Sequence, residues 1–177
     1  MTELEIRSAS PADAPGVAAV HVDSFLATYP HLPTTRRSAT GGLEGRTARW
    51  GSLLLQPEPA HSVLVATAGG EVCGFVHLGP SPDDASGHVF SIHVSPRVTG
   101  NGVGSSLLGE AVAAMTRAGF ADATLWVVAA NRGARGFYER LGWREEPVRR
   151  SERLAVGDEE GDEVEVVRYR LDLGGGE

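Results

Sequence analysis

The segment 94-VSPRVTGNGVGSSLLGEAV-112 sets glycines at 100, 102 and 104 between a strand-like run and a helix-like one. If Val94 ends a strand and Val103 lies in the first helical turn, the backbone amides of about residues 100 to 105 are the orphan donors of a helix N-terminus. The positive end of the helix dipole stands behind them. A phosphate or pyrophosphate is the partner such donors suit, and glycine lets it approach the backbone without a Cβ in the way. The same glycines would also serve a tight turn that holds nothing, and the segment alone leaves both readings standing. Two familiar phosphate loops do not fit. GxxxxGK[ST] fails because no lysine follows the last glycine, and GxGxxG fails because the spacing here is GxGxG.

Other chemistry-bearing residues are sparse. The histidines at 21, 31, 61, 77, 88 and 93 form no helical HxxxH and no Cys/His cluster, so no metal site is expected. The single cysteine, Cys73, cannot close an internal disulfide and sits in the strand-like VCGFVHL, where a buried thiol is expected.

The elements that would position the loop follow from pattern. LEIRS at 4–8 reads as a strand, and Ser10-Pro11-Ala12-Asp13 supplies a cap, a proline at the first helical position and an acid for the dipole. The helix it starts ends at Pro30, and LEGRTARWGSLLLQ predicts a second, interrupted by Gly51. HSVLVATA and VCGFVHLG flank the hairpin signal Gly69-Gly70, and His88 to Val94 is a further strand. A helix with Val103, Leu107, Leu108, Ala111, Val112 and Met115 on one face then leads to TLWVV at 124–128, which must pair parallel across a right-handed crossover. NRGARGFYERLG gives a short helix, and a last strand runs over about 164–173 after the acidic loop 157–163.

This order predicts an α/β chain of the α+β type: one mixed, mostly antiparallel sheet of about six or seven strands flanked by about four helices. Residues 1–173 are expected to form a single domain, with 174–177 a solvated tail. The net charge of -7, without a dense basic cluster, argues against a nucleic-acid partner. No apolar run reaches the length of a membrane span, and the N-terminus lacks a signal-peptide layout, so a cytoplasmic protein is expected.

Two motifs carry a resemblance. Val94-Ser95-Pro96 followed by Thr99-Gly100-Asn101-Gly102-Val103-Gly104 is similar to the acyl-CoA loop [RQ]-x-x-G-x-[GA] of the GNAT superfamily of N-acetyltransferases. The stretch 131-NRGARGFYERLGW-143 resembles the family's N-x-x-A-x-x-F-Y-E-x-x-G-[FW] at each of those positions. The departure is Thr99, where the family usually has Arg or Gln.

The resemblance implies a GNAT-like fold whose fourth and fifth strands splay apart around the pantetheine arm of acetyl-CoA, a co-substrate used without a metal. Ile92, His93 and Val94 would offer backbone to that arm, and Thr99, Gly100, Asn101, Gly102, Val103, Gly104 and Ser105 would cradle the pyrophosphate. Asn131 would reach the arm, with Ala134 and Phe137 packed beside it. Tyr138 falls where many members place the acid that protonates the leaving thiolate. His88, eleven residues before Thr99, falls where some members place a base, although an exposed strand histidine is commonly just solvated. His93 has the opposite strand parity to His88 and is read as structural unless a bulge re-aims it. Acceptor choice would belong to the first two helices and their loop, with Tyr29, His31 and Arg36 as lining residues, and to the loop 147–163. The implied activity is acetyl transfer to a primary amine of a small molecule or a protein N-terminus through a ternary complex. A non-catalytic acyl-CoA-binding or regulatory module of the same fold is the alternative, and a homodimer stays open.

Overall fold

A computed structural model of the chain describes residues 3–33, 42–154 and 161–174. Seven strands form one sheet: β1 (Leu4–Ser8), β2 (Ser62–Ala68), β3 (Glu71–Pro80), β4 (Gly87–Val94), β5 (Asp122–Val128), β6 (Arg144–Leu154) and β7 (Asp162–Asp172). Their spatial order is β1-β2-β3-β4-β5-β7-β6, and only β4 and β5 run parallel. Among the described residues four α-helices accompany them: α1 (Ala14–Thr28), α2 (Gly42–Leu55), α3 (Val103–Arg117) and α4 (Arg132–Arg140). The mixed, mostly antiparallel sheet expected from the sequence is what forms.

Two cores sandwich the sheet. On one face Val17, Ala18 and Trp50 of α1 and α2 pack on Val63, Val65 and Phe75. On the other, Leu107, Leu108, Ala111 and Met115 of α3 meet Val76, Val89, Leu125 and Tyr169. The apolar stripe of α3 is therefore its buried stripe. The hairpin between β2 and β3 turns at Gly69 and Gly70, with φ of 60° and 83°, the left-handed pair such a two-residue turn requires.

The entry to α1 differs from a simple capped helix. Pro11–Asp13 form a 3₁₀ turn before α1 proper starts at Ala14, closed by a capping box between Ser10 and Asp13. Arg7 of β1 grips both Asp13 oxygens at 2.8 and 2.9 Å.

The larger correction lies at the C-terminal edge. Residues 147–154, expected as loop, belong to β6, and β7 begins at Asp162 rather than 164. β6 reads REEPVRRSERL, mostly exposed, so it shows no apolar alternation to betray a strand. Its charges pair across strands instead: Arg168 and Arg170 of β7 reach Glu146 at 2.5 and 2.9 Å, and Arg149 reaches Glu165 at 2.6 Å. Residues 157–160 of the acidic stretch and 175–177 of the tail lie outside the described residues. Among the described residues no helix is long and apolar enough to cross a membrane.

Candidate active site

β4 and β5 part company early. Their parallel register covers only Gly87↔Ala123, His88↔Thr124 and Val89↔Leu125, so the edge of β4 from Phe90 to Val94 that would face β5 has no strand partner in register. Exposed sheet backbone of this kind can take an extended ligand arm as though it were another strand. Ile92, His93 and Val94 stand on that stretch.

A bulge sits where the strands separate. Against β3 the register steps from Leu78↔Val89 to His77↔Ser91, leaving Phe90 as the extra residue. Val89 and Ile92 both join the α3-side core, so the residues between and around them turn to the α1 side. His93 there packs on Phe75 and on His21, and its Nδ1 lies 3.1 Å from Ser24 Oγ of α1. Burial lowers its pKa to about 4. His93 thus has a packed side chain, and the bulge brings it to the same face as His88, which strict alternation would not.

The glycine loop leads straight into α3, as the sequence predicts. Gly102 caps α3 in the left-handed region with φ 80°, Gly100 has φ 86°, and no side chain caps the helix. The Asn101 amide, expected among the free donors, bonds back to Val98 O at 3.3 Å, and the Ser106 amide bonds to Gly102 O at 3.0 Å, so Val103, Gly104 and Ser105 present the first amides of α3. The side chains of Ser105 and Thr99 are turned to backbone oxygens, Gly102 O at 3.0 Å and Ser95 O at 3.2 Å. Asn101 is exposed on the loop. Gly104 answers a different need: a Cβ there would lie 3.5 Å from Phe137 and 3.6 Å from Val94, so its missing side chain keeps open the space between α4 and β4.

On the opposite wall Asn131 is the N-cap of α4. Its Oδ1 accepts from the Ala134 amide at 3.1 Å and its Nδ2 donates to Tyr29 Oη at 3.2 Å. Tyr29 and His31 line a cleft of about 430 Å³ together with Val128, Asn131, Arg132 and Glu165. Arg36 lies outside the described residues.

Tyr138 is buried at 8% exposure beside Phe137, Trp143 and Tyr169. Burial, with Tyr29 nearby, pushes its phenol pKa well up, so the hydroxyl stays protonated across the neutral range. Among the described residues that hydroxyl has no hydrogen-bond partner.

His88, read from the resemblance as a candidate base, is not the solvated strand histidine of the competing reading. It is 5% exposed, with Nδ1 2.8 Å from Thr124 Oγ1 across the middle of the three paired positions of β4 and β5. Burial lowers its pKa to about 4. Its ring meets Phe90 edge-on, and Phe90 in turn stacks on His61 and His77. That aromatic group escaped the sequence reading, since it joins residues of β3, β4 and the loop before β2 that only strand pairing brings together. Cys73 is a buried thiol bonded to Ala66 O, away from these groups.

Comparison with known proteins gives a consistent result. The family model described as Acetyltransferase (GNAT) family matches residues 22–143. A protein of Mycobacterium tuberculosis (strain H37Rv) named "Probable N-acetyltransferase Rv2775" is 30% identical over 152 residues, 78% of this chain and 79% of its own length. The PaiA N-acetyltransferase of Thermoplasma acidophilum, solved in complex with coenzyme A, shares the fold with a TM-score of 0.76 at 20% identity, covering 96% of this chain and 99% of that one. So does yncA of Salmonella typhimurium, solved with its cofactor acetyl-CoA: TM-score 0.69, 20% identity, 97% of this chain and 95% of that one.

Proposed function

The chain belongs to the GNAT family of acetyltransferases, and from that premise we propose that it moves an acetyl group from acetyl-CoA directly to a primary amine, of a small molecule or a protein N-terminus. The observation that carries this reading is the parting of β4 from β5 beyond Val89↔Leu125, beside which Gly104, Val94 and Phe137 converge. The residues fit the co-substrate: amides at the start of α3 for its pyrophosphate, and the β4 edge over 92–94 that β5 leaves open for its pantetheine arm. Residues 1–173 act as one transferase domain in this reading.

His88 takes a proton from the incoming ammonium, directly or through water. The free nitrogen forms a bond to the thioester carbonyl carbon, the C–S bond breaks, and Tyr138 supplies a proton to the departing thiolate. No enzyme nucleophile is needed, which leaves Cys73 without a catalytic part. The acceptor enters beside Tyr29 and His31, whose cleft suits a compact amine or a chain terminus.

The test is amine-dependent release of free thiol from acetyl-CoA across spermidine, tryptamine, free amino acids and peptides with an unblocked N-terminus. Turnover with any of them supports the transferase. Tight CoA binding with no amine-dependent release would instead favour a non-catalytic acyl-CoA-binding module.

A further inference from the structure

We propose that Asp84, Ser86 and Thr124 form a one-way hydrogen-bond chain that holds His88 in the Nδ1–H tautomer and presents its Nε2 lone pair as the proton acceptor; this rests on the transferase reading for its use, not for its geometry.

The chain is fixed by counting protons. Asp84 is held as a carboxylate by Ser86 and by Arg170 at 2.8 Å, so it can only accept. Ser86 Oγ makes its shortest contact with Asp84 Oδ1, and Ser86's single hydroxyl proton goes there. Ser86 Oγ and Thr124 Oγ1 are 3.1 Å apart, and with Ser86's proton spent, Thr124 must be the donor between them. Gly87 O at 3.3 Å is a further acceptor, and donation there spends the same proton. Donation to His88 Nδ1 instead would leave the Ser86 and Thr124 oxygens 3.1 Å apart with no proton between them; with Thr124's proton on Ser86, its lone pairs face His88 and the 2.8 Å contact is Nδ1–H donating to Thr124 Oγ1. Nε2 is then the basic nitrogen. It has no partner among the described residues and is not one of their sealed, unpartnered atoms, so it is open to a ligand or a water.

The chain spans three elements and sits where the strands begin to separate. Ser86 and Thr124 are buried at 4% and 1% exposure, so a hydroxyl here is costly unless bonded, and each one is bonded. The charged and titratable groups around His88 are Asp83 and Asp84 before β4, Arg150 of β6, Arg168 of β7 and His77 of β3. Opposite charges among them offset one another, which leaves burial as the main influence on the ring's charge and the Thr124 contact as what orients it. Asp84, Ser86 and Thr124 are positioning residues, and the base is His88.

The experiment is ¹⁵N NMR of the imidazoles in ¹⁵N-histidine-labelled protein at pH 7, with His88 assigned by the loss of its signals in His88→Gln. The expected result is a protonated-type Nδ1 and an unprotonated-type Nε2, the reverse of free histidine's preference. Thr124→Val, which keeps the strand-compatible shape and removes the acceptor, should shift His88 to mixed or Nε2–H character, and Thr124→Ser should restore the wild-type pattern. Ser86→Ala frees Thr124's proton and should disturb the tautomer even if Thr124→Val folds poorly. An Nε2–H signature in the wild type, or a tautomer unmoved by both Thr124→Val and Ser86→Ala, would overturn the inference. Because the spectra need no acceptor, a chain that behaves as expected in a protein with no amine turnover would remove the transferase reading alone.

Discussion

The carboxamide of Asn131 ties two walls of the cleft together: Nδ2 donates to Tyr29 Oη at 3.2 Å from α4, while Oδ1 of the same group caps that helix. Asn131→Ala should lower stability by about 0.5–2 kcal/mol, because the cap and the cross-wall bond go together. Tyr29→Phe removes only the second and should cost about 0.5–1.5 kcal/mol. The double variant should then cost little more than Asn131→Ala, a coupling readable in urea melts at pH 7. Strict additivity would show that the two residues do not interact.

The two glycines of the proposed cradle should respond in opposite directions. Gly104 is helical with ordinary backbone and free space for a Cβ, so Gly104→Ala should leave stability unchanged or raise it by up to about 1 kcal/mol. A methyl between Phe137 and Val94 narrows the gap in which the co-substrate is proposed to lie, and affinity for CoA should fall at least about tenfold by calorimetry. Gly102→Ala should destabilise the fold, since at φ 80° a side chain is strained whatever space surrounds it. Unchanged CoA affinity in folded Gly104→Ala would remove the cradle assignment.

The parts of this site that are local in sequence were legible, and the parts made by long-range pairing were not. The Gly100–Gly104 loop and the Asn131–Tyr138 run announce themselves because turn and cap chemistry is written in consecutive residues. β6 was missed because a strand whose outward and inward positions are both Arg or Glu has no period-2 hydrophobic signal; its partners are charges on β7. The burial of His88 rests on Thr124, 36 positions away, and the shared face of His88 and His93 rests on one extra residue at Phe90. Neither can be counted from spacing, since a bulge reverses every later parity in the strand. Tyr29 and Asn131, 102 positions apart, were each singled out, the first for acceptor choice and the second for the pantetheine arm, but not as partners of one another.

Acid should reveal the Arg7–Asp13 clasp. Asp13 is nearly buried and its pKa lies well below the usual carboxylate range, chiefly through Arg7, with further help from Ser10. With Arg7 itself 38% exposed, solvent screens the pair, and Asp13→Asn should cost about 1–2 kcal/mol at pH 7. A depressed folded pKa means the unfolded chain binds the proton first. The contribution is therefore complete above the unfolded value of about 3.9 and fades as pH falls below it toward the lowered folded value. Urea midpoints of wild type and Asp13→Asn should converge between pH 5 and pH 2.5. A gap that stays constant over that range would mean the carboxylate's charge is not what the clasp uses.

Tyr138 and His88 can be separated by what each loss does to the rate at different pH. Tyr138→Phe keeps the ring in its core and removes the proposed proton donor, so kcat should fall by about a hundred- to ten-thousand-fold with CoA affinity nearly unchanged, and by a similar factor at every pH between 6 and 9. His88 behaves otherwise. With its pKa lowered to about 4 by burial, it is neutral and able to accept a proton throughout that range, whereas an alkylamine acceptor with a pKa of about 10 is almost wholly ammonium at pH 7. His88→Ala should therefore cost most at neutral pH, where a proton must be removed before attack. The deficit should shrink toward pH 9.5, where much of the amine is already free. A ratio of wild-type to His88→Ala kcat/KM that falls steeply with rising pH is the expected result. A ratio that stays flat would assign proton removal to water or to the amine's own equilibrium, and His88 would keep only its place in the packing around Phe90.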